Sequence, residues 1–546
     1  MKKNSRIFQL LKNNLISHKG MALLATLIFI FILTTLGIAL LTMTRSDLKL
    51  STLQEESTKA FYLADAGVER AINWLEKQAA PPCAKDLPPV HLDGNYEFIE
   101  LSTGKYKVHL DVGIDPTTTV AGYTIKSKGW ITRADGSEVS RKIETLVIIT
   151  NFAEYAYFSN EERFPNNANI SGSGSYADQK IWFIGADTFG GKVHSNSQFH
   201  IVDEPNFYGK VTSTEDTIDF WGGVYAADGS NFPNFHEGYA LGVDNIPLPQ
   251  YRNISDLDDA TSLQRIAGGS WEKADFPSSN GVYIPHTDGM GTEVTGGIYV
   301  KGDVTSINLD VDNAADPNSK MTFIQGGNTT TITSVLSPIT LPAGSTLNGV
   351  AAGGVIVGAD TTLVKVGTTN TYNSYVGLTN GLLFVDGSIN SLNGNNHRGK
   401  MSIASTESIT ITNNIYYYDR DETVSLLNDE HLEDIDDSLG LIAAKDVKIA
   451  SGAPPNIEID AIIMALNTSF FYEGWRNYLK DTLSLLGGLI QKERGPVGTH
   501  NEGVKVTGYS KNYIYDTRMA NPAGGKLPPY FPSTGQYQKA YWKEVY

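Results

Sequence analysis

The strongest arrangement for chemistry in this sequence is an acidic run, Asp310-Val311-Asp312-Asn313, with Asp316 close behind. Oxygen ligands at alternate positions suit Ca²⁺. The run lacks the turn glycine and the distal glutamate of an EF-hand. An acidic loop is therefore the plainer reading, and Asp310, Asp312 and Asp316 stand only as a weak calcium candidate. His194 and His200 fall on an expected strand-turn-strand at a spacing that makes no standard metal site. Gly190-Gly191-Lys192 and Ala352-Gly353-Gly354-Val355 lack phosphate-loop spacing and a following helix, so they read as turns. Cys83, the single cysteine, has no internal disulfide partner and sits in the Pro-rich Ala80-Pro81-Pro82-Cys83, where an inert thiol is expected. The acids Asp429-Glu430, Glu433-Asp434 and Asp436-Asp437 read as a solvated insertion. No nucleophile elbow or cofactor fingerprint stands out. The expectation is a non-enzymatic protein without a cofactor.

The elements that would position such groups begin with an apolar run. Met21 to Met43 carries no charge, and as a helix it would span roughly 35 Å, enough for a bilayer core. Lys2, Lys3, Arg6, Lys12 and Lys19 precede it with no acid among them. The basic side should stay cytoplasmic and the body outside. An ordinary cleaved signal has a shorter apolar stretch with a small-residue site behind it. Here helical spacing continues through Leu48, Leu50, Leu53, Ala60, Phe61, Ala64, Gly67, Val68, Ala71, Trp74 and Leu75, with no proline before Pro81. One helix is expected over 21–80, stopping at Pro81-Pro82.

The chain's net charge is -17, and without the basic first 20 residues the balance is more acidic still. That argues against binding to a nucleic-acid backbone. With 546 residues, 53 glycines and 10% aromatics, a folded, turn-rich β protein is expected. Tyr106–Val112, Tyr123–Gly129 and Lys142–Ile148 alternate as strands, and Asp135-Gly136 signals a hairpin. An antiparallel sheet over 95–150 is expected to pack on the helix. From 151 to 546 a loose strand-turn-strand template recurs, at Lys192–Ile201, Gly297–Ile307, Leu382–Leu392, Met401–Ile411, Leu441–Ile449 and Ile457–Ile463. Such spacing suits one coil of a right-handed β-solenoid, with a β-sandwich or mixed β domain as the alternative. The fold class expected is α+β, mostly β. A helical insertion is expected over 470–490, from Trp475, Tyr478, Leu479, Leu483 and Leu486. The Pro-rich tail through Pro528-Pro529-Tyr530-Phe531-Pro532 is expected to pack along the β domain.

The segment Lys19-Gly20-Met21-Ala22-Leu23-Leu24, together with Ala60-Phe61-Tyr62-Leu63-Ala64-Asp65-Ala66-Gly67-Val68-Glu69-Arg70-Ala71, resembles the N-terminal region of PilX-type minor pilins. The resemblance covers about residues 19 to 80. It implies a prepilin-type leader over 1–20, cut between Gly20 and Met21 by a prepilin peptidase. It also implies residence in the inner membrane with a periplasmic body, and then assembly with other pilins into a type IV pilus at the cell surface. The exterior domain would serve adhesion or partner recognition, surface polysaccharide being one target. Major pilins of this kind carry Glu at the fifth mature position, where this chain has Ala25. That departure points to a minor or tip-proximal place. Two other readings stand beside it: a type II secretion pseudopilin, and a signal-anchored solenoid that binds or degrades polysaccharide.

Overall fold

The computed structural model describes residues 18–78, 99–114, 122–166, 170, 176, 178–221, 233–259, 261–269, 271–284, 297–311, 319–335, 345–347, 350–352, 364–366, 371–375, 381–420, 429–501, 504–520 and 526–545. The protein is mostly β, with one long apolar N-terminal helix and an antiparallel sheet seated on it. The helix, α1 (His18–Glu76), is unbroken. It ends at Glu76 rather than at Ala80. Lys77 and Gln78 close it with bonds to the carbonyls of Trp74 (3.2 Å) and Leu75 (3.1 Å). The Pro-rich 81–93 and Cys83 lie outside the described residues.

Four strands follow: β1 (Ile99–Leu101), β2 (Gly104–Ile114), β3 (Gly122–Thr132) and β4 (Glu138–Asn151). Asp135-Gly136 makes the β3–β4 hairpin, pairing Ile131 with Val139. Asp135 accepts the Ser137 N–H at 2.9 Å, and Gly136 supplies a φ of 81°. The fifth strand of this sheet is the chain's last, Ser533–Val545, antiparallel to β4. The Pro-rich tail therefore does more than lie along the β body. It crosses that body and returns to the sheet.

β4 runs through a 3-10 turn, capped by Asn151, into β5 (Tyr155–Glu161) and the body. Two long sheets face each other there. The chain passes back and forth between them: Lys400–Ser405 in the first, Ile409–Tyr417 in the second, Ser438–Ala443 in the first, Ile457–Asp460 in the second, and so on to Val504–Tyr515, with short additional strands of the second sheet at Val447–Ile449 and Phe470–Tyr472. Neighbours within each run are parallel. In the first sheet both faces are apolar. Leu383, Ile403, Leu441 and Ile463 point to the core between the sheets. Phe384, Ala404, Ile442 and Met464 point outward into a second core. A sheet buried on both sides needs such continuous hydrophobicity. The strand-turn-strand copies match these elements, but Leu441 ladders with Ile463, while Ile457 ladders in the second sheet with Leu483.

The stacking order departs from chain order. In the first sheet the strands run Ile298–Lys301, Leu382–Asp386, Lys400–Ser405, Ser438–Ala443, Ile462–Ala465, Leu489–Glu493, then β5, Lys192–Ser195, Val211–Ser213 and Tyr239–Ala240. The earliest strands thus continue the stack beyond the latest ones, through a parallel pairing of Leu489–Glu493 with β5. The segment after Ala240 returns over the outer face of the sheet. Ile254, Leu263, Ala267 and Trp271 from it fill the second core, and Tyr515, Met519, Leu527 and Phe531 of the tail complete it.

The helical insertion expected over 470–490 is absent. That stretch forms strands Phe470–Tyr472, Leu479–Gly487 and the start of Leu489–Glu493. Leu483 and Leu485 face the core at a period of two. A turn at Gly474, whose carbonyl accepts from Asn477 and Tyr478, divides the apolar residues that mimic a helical stripe. Gly487, at a φ of 152°, turns the corner where a Cβ would lie 2.0 Å from the Ala461 carbonyl oxygen.

Burial acts in opposite senses on two groups at one corner of the stack. It pushes buried His397 down to about 4 and Asp437 up to about 6. His397 Nε2 lies 3.3 Å from the Ser438 carbonyl, and Asp437 accepts the Gly399 N–H at 2.6 Å. His397 titrates lower folded than unfolded, so its share of stability is lost as pH falls from about 6.5 towards 4. Asp437 titrates higher folded than unfolded, so the folded state gains as pH falls from about 6 towards 3.8. The two offset each other. Asp437→Asn should steepen the loss of melting temperature between pH 7 and pH 5, and His397→Gln should flatten or invert it. Unfolding midpoints at both pH values check this, and equal pH dependence in the two variants would contradict it.

Candidate functional site

The feature most open to a functional reading is α1, which carries two different surfaces. From Met21 to Met43 every large apolar side chain is exposed, and this stretch has the length and composition to cross a membrane. Its hydroxyls are satisfied internally. Thr26 donates to the Leu23 carbonyl and Thr34 to that of Phe31, both at 2.9 Å, and Thr42 donates to that of Ala39 at 2.8 Å. Such back-bonding suits a helix whose surroundings offer no water. Exposure continues through Leu48 and Leu50.

The second surface starts at Ala60. Ala60, Ala64, Val68, Ala71 and Leu75 recur every three or four residues and are buried. Ala64, Val68, Ala71 and Leu75 share a core with Val108, Leu110, Tyr123, Ile125, Ile143 and Val147 of the sheet. Small residues on both sides let the helix lie close. A Cβ on Gly129 would fall 2.3 Å from the Ala60 carbonyl oxygen and 2.4 Å from the Ala64 nitrogen. Polar ties frame the seat. Arg133 Nε donates to Glu56 at 2.7 Å. Arg141 of β4 pairs with Glu544 of the last strand and donates to Ser57 of the helix at 2.6 Å. Lys539 reaches Glu69 at 2.6 Å. Lys543 holds the Glu144 carboxyl below its ordinary range.

The predicted processing residues Gly20 and Met21 both fall within α1, which starts at His18. Ala25 lies on its exposed apolar part. Asp310 is the next-to-last residue of the strand Ser306–Val311, accepting from Asn396 Nδ2 at 3.1 Å, whereas Asp312 and Asp316 lie outside the described residues. Among the described residues no three His, Cys, Asp or Glu side chains gather as a metal group. His194 is fixed between Thr212 and Asn196, both at 2.8 Å, and stacks on Phe158. His200 pairs with Asp219 at 2.9 Å. Both read as structural. Gly190-Gly191 makes a corner against Tyr515. In the acidic insertion Glu433, Asp434 and Asp436 are exposed, but Leu432, Ile435 and Asp437 are buried. The ties from the last strand to the helix escape sequence reasoning, because nothing local marks Ser533–Val545 as a partner of β4.

Residues 122–215 match a protein family described as a domain of unknown function, DUF4900. The match joins β3 and β4 of the small sheet to β5 and the next strands of the body. No curated protein and no solved structure matches the chain.

Gly129→Ala should lower the stability of the helix-sheet unit by about 1–3 kcal/mol through overpacking. Gly37→Ala, where a Cβ meets nothing within 4 Å, should leave it unchanged. Thermal unfolding of the full chain in detergent compares the two, and equal midpoints would show that the close approach is unimportant.

Proposed function

We propose that this protein is a minor subunit of a type IV pilus. It would be held in the inner membrane by α1, released from its leader after Gly20 by a prepilin peptidase, and assembled with other pilins through the same helix. The observation that carries this reading is the division of one unbroken helix into a bare apolar half and a half locked beneath a sheet. An anchor needs only the first half. A filament subunit needs both, because the helix must leave the bilayer, pack among its neighbours and keep its body rigidly attached. The N-terminal resemblance at 19–80 supports the same reading. In it the parallel, two-sheet body is a right-handed β-solenoid displayed on the outside for adhesion or partner recognition.

A type II secretion pseudopilin would use the same helix in the same way. Ala25 bears on position in either filament. A Glu there would place a carboxylate among apolar helices, where a partner amine must neutralise it. Its absence supports a minor place.

N-terminal sequencing of the chain from cells with and without prepilin peptidase tests the reading. Met21 should be the first residue only when the enzyme is present, and a leader retained in both would overturn it. Ala25→Glu should raise the subunit's share of sheared filaments several-fold by quantitative mass spectrometry. An unchanged share would remove the argument for a minor position.

A further inference from the structure

We propose that the cavity at the seam where Leu489–Glu493 meets β5 binds an acidic sugar, a pyranose ring bearing a carboxylate. The assignment concerns the body alone and does not rest on the filament reading. The cavity holds about 200 Å³. That suits a single ring, since pockets for drug-sized ligands run to ~300–1,000 Å³.

Its lining combines flat apolar faces with cations. Phe164, Tyr176 and Trp475 form one cluster, with centroids 5.4 Å apart for Phe164 and Trp475 and 5.9 Å for Tyr176 and Trp475. Trp182 also lines the cavity and meets the exposed Trp221 edge-on at 5.0 Å. Rigid aromatic faces give contact area at little entropic cost, and the C–H face of a pyranose is the complementary surface.

The charged side chains in the lining are Lys180, Arg494 and Lys511, and among the described residues no Asp or Glu joins them. This stands out in a chain of net charge -17. Acids outside the lining hold the cations. Arg494 donates to Glu162 at 3.1 Å and to Asp187 at 3.4 Å. Lys511 donates to Asp187 at 2.7 Å, and Lys180 to Asp219 at 2.7 Å. A guanidinium has five N–H donors and an ammonium three, so each keeps donors beyond these bonds. A ligand carboxylate would take them in charge-assisted form. His500 lines the same cavity. An uncharged sugar would use the rings and leave the cationic donors idle. A carboxylate without a sugar ring would do the reverse.

The test is titration of the full chain in detergent with tri-galacturonate, followed by tryptophan fluorescence and calorimetry. Maltotriose and N-acetylglycine are the comparison ligands. Saturable binding of tri-galacturonate is expected, at least about tenfold tighter than either comparison, a difference of about 1.4 kcal/mol. Trp182→Ala and Lys511→Met should each weaken it by about tenfold with the melting temperature checked alongside. Should Lys511→Met fail to fold, Trp182→Ala decides. Absence of saturable binding, equal affinity for maltotriose or N-acetylglycine, or indifference to Trp182→Ala would overturn the assignment.

Discussion

The body depends on one non-local pairing, that of Leu489–Glu493 with β5. Leu489 lies opposite Tyr157, Ile490 opposite Phe158 and Gln491 opposite Ser159. Without it the first sheet would be two sheets, each with an open strand edge. Buried charge seals the joint. Arg494 bridges Glu162 and Asp187 and lies 3.9 Å over the Phe183 ring, and Glu162 also accepts the Tyr157 hydroxyl at 2.8 Å. Ions taken so far out of water are tolerable only when each finds partners. The pairing therefore fixes register as well as holding two runs of strands together. It also makes the closing step of folding a long-range one, which is slow by nature.

Once early strands stack beyond late ones, the chain must travel back along the body. That return explains the second core. The segment after Ala240 and the tail before Ser533 both lie on the outer face of the first sheet, so its strands are apolar on both faces. The tail reaches Asn151, whose side-chain amide donates to the Phe531 carbonyl at 2.8 Å, and then enters the small sheet. Helix, sheet and body are thus joined by side-chain packing at each step, with ion pairs placed around the rim.

What could be read from the residues follows from the range of each signal. The apolar helix, the Asp135-Gly136 hairpin and the strand-turn-strand units were legible because their causes lie within a few residues. Stacking order was not. Tyr157 and Phe158 carry no local mark of Leu489 and Ile490 as partners. The stretch 470–490 misleads because Trp475, Tyr478, Leu479, Leu483 and Leu486 fit a helical stripe as well as parts of strands. Only the glycines at 474 and 487 hint at the interruptions. The seam cavity was invisible for the same reason as the seam, since its walls come from segments near 157–189 and 470–513. The calcium candidate at Asp310, Asp312 and Asp316 was a local pattern, and only its first member falls within the described residues.

The body joins its helical base by two strands, β4 on the way in and Ser533–Val545 on the way out, with Asn151 opposite Ser533 where both enter the body. A single connecting chain would act as a swivel. A paired ribbon resists twisting about its own length and bends easily in only one plane. Tension drawing the body along that ribbon would also meet the β3–β4 ladder in shear, so that its many bonds give way together instead of unzipping one by one. The same face of the body would therefore stay turned the same way under load, a property that a loosely tethered domain lacks.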